Sequence, residues 1–131
     1  MAEVEVGDQI PELRVTPDKY LPHRYAGASG DFNPIHIDDE FAKAVGLPRN
    51  ILHGLYSMGL VAKANASALA GGDPRALKKL SVQFRGMGVP EQEIVVTGTV
   101  KEVDGNRVVV DLEAAQGDKR IIRNAQAELE L

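Results

Sequence analysis

The sequence predicts an α+β domain in which a curved antiparallel sheet wraps around one central helix. Three observations carry this. Leu55, Met58, Ala62, Ala66 and Leu69 recur at three- and four-residue spacing, the mark of a single apolar helical face. From Leu77 onward the apolar period shortens to two, as in strands with one buried and one wet face. One early strand, Leu13-Arg14-Val15, precedes the helical region and must join the same sheet to be covered.

Taken in order, Thr16-Pro17 ends that first strand, and Pro17 and Pro22 suit the start of helical turns better than their interior. A short helix ending near Ala28 follows. Gly30-Asp31-Phe32-Asn33-Pro34 suits neither helix nor strand, because glycine punctuates the chain and the residue before proline avoids the helical region. Asp38-Asp39-Glu40 places acid at the start of a second short helix, which Gly46-Leu47-Pro48 stops. The long helix runs from about His53 to Ala70, roughly 25 Å at the usual rise, and Gly71-Gly72-Asp73-Pro74 ends it.

The strands then run Leu77–Arg85, Ile94–Val103, Arg107–Ala115 and Lys119–Leu131, with turns at Asp104-Gly105-Asn106 and Gln116-Gly117-Asp118. In the last strand Ile121, Ala125, Ala127 and Leu129 are expected on the buried face. Ile122, Asn124, Gln126, Glu128 and Glu130 are expected on the other. Neither repeat nor linker interrupts the 131 residues, which read as a single domain spanning 1–131.

Composition excludes several functions. Hydrophobic residues at 44% and charged residues at 26% are globular values that argue against disorder. A net charge of −4 without a basic cluster argues against nucleic acid as a partner. The chain holds no cysteine, which removes disulfides and thiolate chemistry. No apolar stretch of about 18 residues predicts a membrane span, and Met1-Ala2-Glu3-Val4-Glu5-Val6 lacks the basic and apolar regions of a signal peptide. A soluble cytoplasmic protein is expected.

The segment Tyr25-Ala26-Gly27-Ala28-Ser29-Gly30-Asp31-Phe32-Asn33-Pro34-Ile35-His36 carries the chemistry. It sets a carboxylate and an imidazole on either side of one bend, a good arrangement for aiming an acid and a base at one small volume. Asn33 is a turn former. A serine-hydrolase reading of Ser29 fails, since the nucleophile-elbow pattern needs glycine where Asp31 stands. A calcium loop fails too: Asp31, Asn33 and Asp39 fit it, but Ile35, His36 and Ala42 occupy ligand or glycine positions. His36 with Asp38 or Glu40 lacks zinc spacing, so no metal is expected. His53-Gly54 opens the long helix, where unpaired N–H groups favour developing negative charge and glycine lets a substrate approach the backbone.

This segment, followed by His53-Gly54-Leu55-Tyr56-Ser57-Met58-Gly59, resembles the two signatures of the MaoC-like dehydratases, the (R)-specific enoyl-CoA hydratases. The match is close over residues 25–59 and looser to the C-terminus. The resemblance implies the hot-dog fold and, by it, reversible hydration of trans-2-enoyl thioesters to (3R)-3-hydroxyacyl thioesters in fatty-acid metabolism. Asp31 and His36 would be the acid–base pair, Asn33 would orient their loop, Gly54 N–H would hold the thioester oxygen, and Ser57 would lie nearby. His53 is left as a cap or packing group, Tyr56 and Met58 as wall or core. No cofactor is implied.

The implied partners are an acyl thioester of coenzyme A or acyl carrier protein and a second hot-dog subunit. A homodimer or higher even oligomer is favoured over a heterodimer. The alternatives are a non-catalytic acyl-binding subunit and a hot-dog thioesterase. Two departures from the family stand out: Val89-Pro90-Glu91-Gln92 replaces a proline-glycine-acid turn, and Pro22 falls where relatives commonly continue the helix.

Overall fold

A computed structural model describes residues 3–131, so the first two residues of the N-terminal segment just read lie outside the described residues. The chain order is β1 (Leu13–Val15), α1 (Leu21–Ser29), α2 (Pro34–Ile37), α3 (Asp39–Ala44), α4 (Gly54–Leu69), a 3-10 turn (Pro74–Ala76), β2 (Leu77–Phe84), β3 (Ile94–Asp104), β4 (Arg107–Gln116) and β5 (Lys119–Glu130). One five-stranded sheet has the order β1-β3-β4-β5-β2, with every pairing antiparallel. Helix α4 contacts β2, β3, β4 and β5, as a central helix in a curled sheet must. This is the hot-dog fold, α+β in class.

The core lies between α4 and the concave sheet face. Val61, Val96, Val110, Ile94, Ile122 and Leu129 are all fully buried there. Bulges in the β3–β4, β4–β5 and β2–β5 ladders supply the curvature. Among the described residues no helix is long and apolar enough to cross a membrane.

Two expectations need correction in part. Of the expected α4 stripe, Ala66 is buried and Met58 and Leu69 pack against the core, whereas Leu55 is 63% exposed. The buried face also takes in Ser57, Leu60, Val61, Ala64 and Asn65, because the many alanines let small side chains fit several phases. In β5, Ile122 pairs with Ala114 and Ala125 with Leu112. Three residues on one strand therefore match two on the other. The extra residue is taken up where Asn124 adopts φ 49, and Ile122 turns into the core with Ala125. Beyond the bend, Pro34 opens a one-turn helix that carries His36.

The first departure from the family pattern has a structural counterpart. Glu91 holds φ 71, the left-handed conformation that suits glycine. Its N–H donates to the Pro17 carbonyl at 2.6 Å, and Arg49 meets its carboxylate at 3.2 Å. Pro22 needs no accommodation, since α1 simply begins there.

Candidate active site

The bend is built by short side chains, each reaching two residues ahead. The Ser29 Oγ accepts from Asp31 N–H, Asp31 Oδ1 accepts from Asn33 N–H, and Asn33 Oδ1 accepts from Ile35 N–H, each at 3.2 Å. Gly30, at φ 79, caps α1 and turns the chain into this run. Asn33 closes it by capping α2, with Pro34 pre-set for the first helical turn.

These turns occupy Asp31 Oδ1 and leave Oδ2 facing His36 Nε2 at 3.7 Å. His36 is buried, and its Nδ1–H donates to the Ile51 carbonyl at 2.9 Å. That bond fixes the ring and, in the neutral imidazole, leaves the lone pair on Nε2, the atom turned to Asp31. The gap is too long for a direct hydrogen bond and suits two groups that share one small oxygen species.

The segment before α4 clamps this arrangement. Buried Asn50 donates Nδ2–H to the His36 carbonyl at 3.0 Å, and its own N–H donates to Asp39 Oδ1 at 3.0 Å. Lys43 pairs with Asp39 at 3.0 Å; that bond first, and the Asn50 N–H second, hold the Asp39 carboxyl below its ordinary value. Ile51 N–H donates to the Ile35 carbonyl at 3.0 Å.

Gly54 is the first residue of α4, where an N–H has no acceptor within the helix. A Cβ on it would lie 3.1 Å from the Phe84 ring, so glycine keeps that approach open. Ser57 is buried one turn further in. Gly54, Ser57 and His36 line a cavity of about 180 Å³ with Ile51, Leu52, Phe84, Met87, Ile121 and Ile122. The cavity is thus polar at one end and apolar elsewhere.

His36, Gly54 and Ser57 thus line one cleft, Asp31 faces His36 at 3.7 Å, and Asn33 shapes the loop. Asn50 was not singled out in the sequence, and His53 was given only a capping or packing role. His53 is 3% exposed, makes no cap bond, and stacks on His36 with ring centroids 3.9 Å apart and planes 20° apart. Tyr25 lies 4.7 Å from it and meets Tyr56 edge-on at 5.8 Å.

Asp31, His36 and His53 bring one potential ligand atom each within 4.8 Å of one another. Near-parallel rings, however, keep their in-plane lone pairs side by side and not convergent. Two of the four ring nitrogens already donate to carbonyls. The cluster suits proton chemistry better than a tetrahedral metal.

A family model described as MaoC like domain matches residues 4–120. The peroxisomal enoyl-CoA hydratase 2 of Arabidopsis thaliana is 36% identical over 113 residues, which cover 86% of this chain and 35% of that protein. The chain thus spans about a third of that relative's length. A solved MaoC-like dehydratase superposes with TM-score 0.92 at 31% identity, covering 98% of this chain and 41% of the other. The R-hydratase PhaJ1 of Pseudomonas aeruginosa superposes with TM-score 0.86 at 25% identity, covering 98% and 82%.

Proposed function

This chain belongs to the MaoC like domain family, and from that premise we propose that it hydrates trans-2-enoyl thioesters to (3R)-3-hydroxyacyl thioesters and catalyses the reverse dehydration. The observation that carries the reading is the facing of Asp31 Oδ2 and His36 Nε2 at 3.7 Å beside the N-terminus of α4. The names of the plant hydratase and the R-hydratase support it.

In the hydration direction, Asp31 and His36 hold one water. One of them takes its proton as the oxygen bonds to C3, and a proton reaches C2 on the same face. General acid–base help of this kind contributes roughly 10²–10⁴ per group. The electrons displaced from the double bond pass to the thioester oxygen. Gly54 N–H, with the positive end of α4 behind it, stabilises that charge, and one such donor contributes on the order of 10²–10³. Apolar Ile51, Leu52, Ile121 and Ile122 receive the acyl chain. The thioester supplies the activation, so no cofactor enters. Coenzyme A and acyl carrier protein both present such a thioester.

We further propose that a second hot-dog unit completes the site, in a homodimer or higher even oligomer in preference to a heterodimer. β2 is an edge strand, and Phe84 at its end is 52% exposed while it walls the cavity. Asp31, with its side chain 53% exposed, needs cover to work away from bulk water.

The test is the absorbance of crotonyl-, octenoyl- and dodecenoyl-coenzyme A incubated with purified protein. Loss of the enoyl band without release of free thiol supports hydration. Thiol release identifies a thioesterase, and no change in any substrate identifies a binding subunit.

A further inference from the structure

We infer that His53 is a positioning residue for the acid–base pair, acting through the hydrogen bond it donates to the Asp31 backbone carbonyl. The inference rests on the hydratase reading for its kinetic consequence, but not for its geometry.

His53 Nε2 lies 3.0 Å from the backbone carbonyl oxygen of Asp31, twenty-two residues earlier in the chain. A carbonyl only accepts, so Nε2 carries the hydrogen and donates. In the neutral ring Nδ1 is then the bare nitrogen, and it is buried without a hydrogen-bond partner. An unpaired buried nitrogen is costly. The ring makes no cap bond that would offset this cost. A phenylalanine or leucine would fill the space with no polar penalty. What the imidazole supplies and a hydrocarbon cannot is the N–H aimed at Asp31.

That bond reaches the part of the site with least other support. Residues 30–33 lie outside any helix or strand, and the turns that shape them are local hydrogen bonds at 3.2 Å with exposed groups. They fix the shape of the bend and leave its placement against the rest of the protein open. His53 ties the bend to the first residue ahead of α4, the element that also presents Gly54. The same ring packs flat on His36 at 3.9 Å. Tyr25 packs against His53 at 4.7 Å and Tyr56 against Tyr25, which keeps the ring in place. One hydrogen bond thus registers Asp31, and with it the pair, against the oxyanion donor. Misplacing reacting groups by about 1 Å costs up to about 10²-fold in rate.

Two variants separate the hydrogen bond from the packing of the ring. His53→Phe keeps a flat ring on His36 and removes the donor. His53→Gln keeps an N–H at nearly the same reach and removes the ring. Expected for His53→Phe is a kcat at least about tenfold lower, KM within about twofold, and an unchanged unfolding midpoint. Expected for His53→Gln is recovery of most of that loss. A His53→Phe kcat within twofold of wild type, or a His53→Gln as slow as His53→Phe, overturns the inference. Should His53→Phe not fold, His53→Gln decides alone: kcat within about threefold of wild type supports the donor role, and a larger loss overturns it.

Nuclear magnetic resonance gives a readout independent of activity, which holds even if the hydratase reading fails. Imidazole nitrogen spectra of the wild type should show His53 protonated at Nε2. The amide signals of Asp31 and Phe32, which flank the bonded carbonyl, should move in His53→Phe and stay near their wild-type positions in His53→Gln. A His53 protonated only at Nδ1, or amides unmoved in His53→Phe, overturns the inference.

Discussion

Asp31 Oδ2 and His36 Nε2 face each other across 3.7 Å, each held by its other polar atom: Asp31 Oδ1 by the Asn33 N–H, His36 Nδ1 by the Ile51 carbonyl. Both groups are therefore aimed before any substrate arrives. Asp31→Asn and His36→Ala should each slow hydration at least about a hundredfold, the low end of an acid–base contribution. Asp31 is exposed and Asn can still accept the Asn33 N–H, so its fold should survive. Turnover near wild type in either folded variant would remove the pair from the mechanism.

Gly54→Ala separates activity from stability. The added methyl meets the Phe84 ring at 3.1 Å, on the path proposed for the thioester to the helix N-terminus. We expect kcat/KM to fall at least about tenfold, since small displacements of a reacting group are costly. Alanine is favoured over glycine in helices by up to about 1 kcal/mol, and Phe84 is exposed enough to yield, so the urea midpoint should not fall. A rate within twofold of wild type would mean that nothing approaches Gly54 closely.

The clamp behind His36 should show its charge in a pH series. Lys43, and then the Asn50 N–H, hold the Asp39 carboxyl below its ordinary value. A lowered carboxylate contributes stability above its unfolded value of about 3.9, and loses that contribution as pH falls through the lower folded value. Asp39→Asn should therefore have a lower urea midpoint than wild type at neutral pH, with the gap closing in acid. Because the Asp39 side chain is about half exposed, the gap should be modest and should shrink with salt. A gap of equal size at neutral pH and below the ordinary carboxylate range would place the effect elsewhere.

Light scattering tests the assembly. The exposed β2 edge and the half-exposed Phe84 beside the cavity predict a dimer or higher even oligomer. A stable, fully active monomer would contradict this, and rescue of a weakly active chain by a second hot-dog subunit would favour the heterodimer.

What could be read from the sequence follows from the range of the interactions. The bend at Ser29, Asp31 and Asn33 is made by side chains reaching two residues ahead, so its residue types announce it. Gly54 is legible because glycine and the change of pattern mark the helix start. Asn50 and His53 act across 14 and 22 residues, and no local pattern announces such partners. In β5 Ile121, Ala125, Ala127 and Leu129 are buried as expected, and only Ile122 departs, because the bulge at Asn124 interrupts the alternation. The left-handed Glu91 is hidden for a related reason: a turn that suits glycine is held here by Arg49 and the Pro17 carbonyl, both distant in sequence.

The most direct test of the central claim is the product itself. Crotonyl-coenzyme A is incubated with the purified chain, the enoyl absorbance is followed, and the alcohol is resolved by chiral chromatography. Similarity to the R-hydratase leads us to expect (3R)-3-hydroxybutyryl-coenzyme A, with water and proton added to the same face by the facing Asp31 and His36. Dominant (3S) product would contradict the account, as would an enoyl band that persists with crotonyl-, octenoyl- and dodecenoyl-coenzyme A alike.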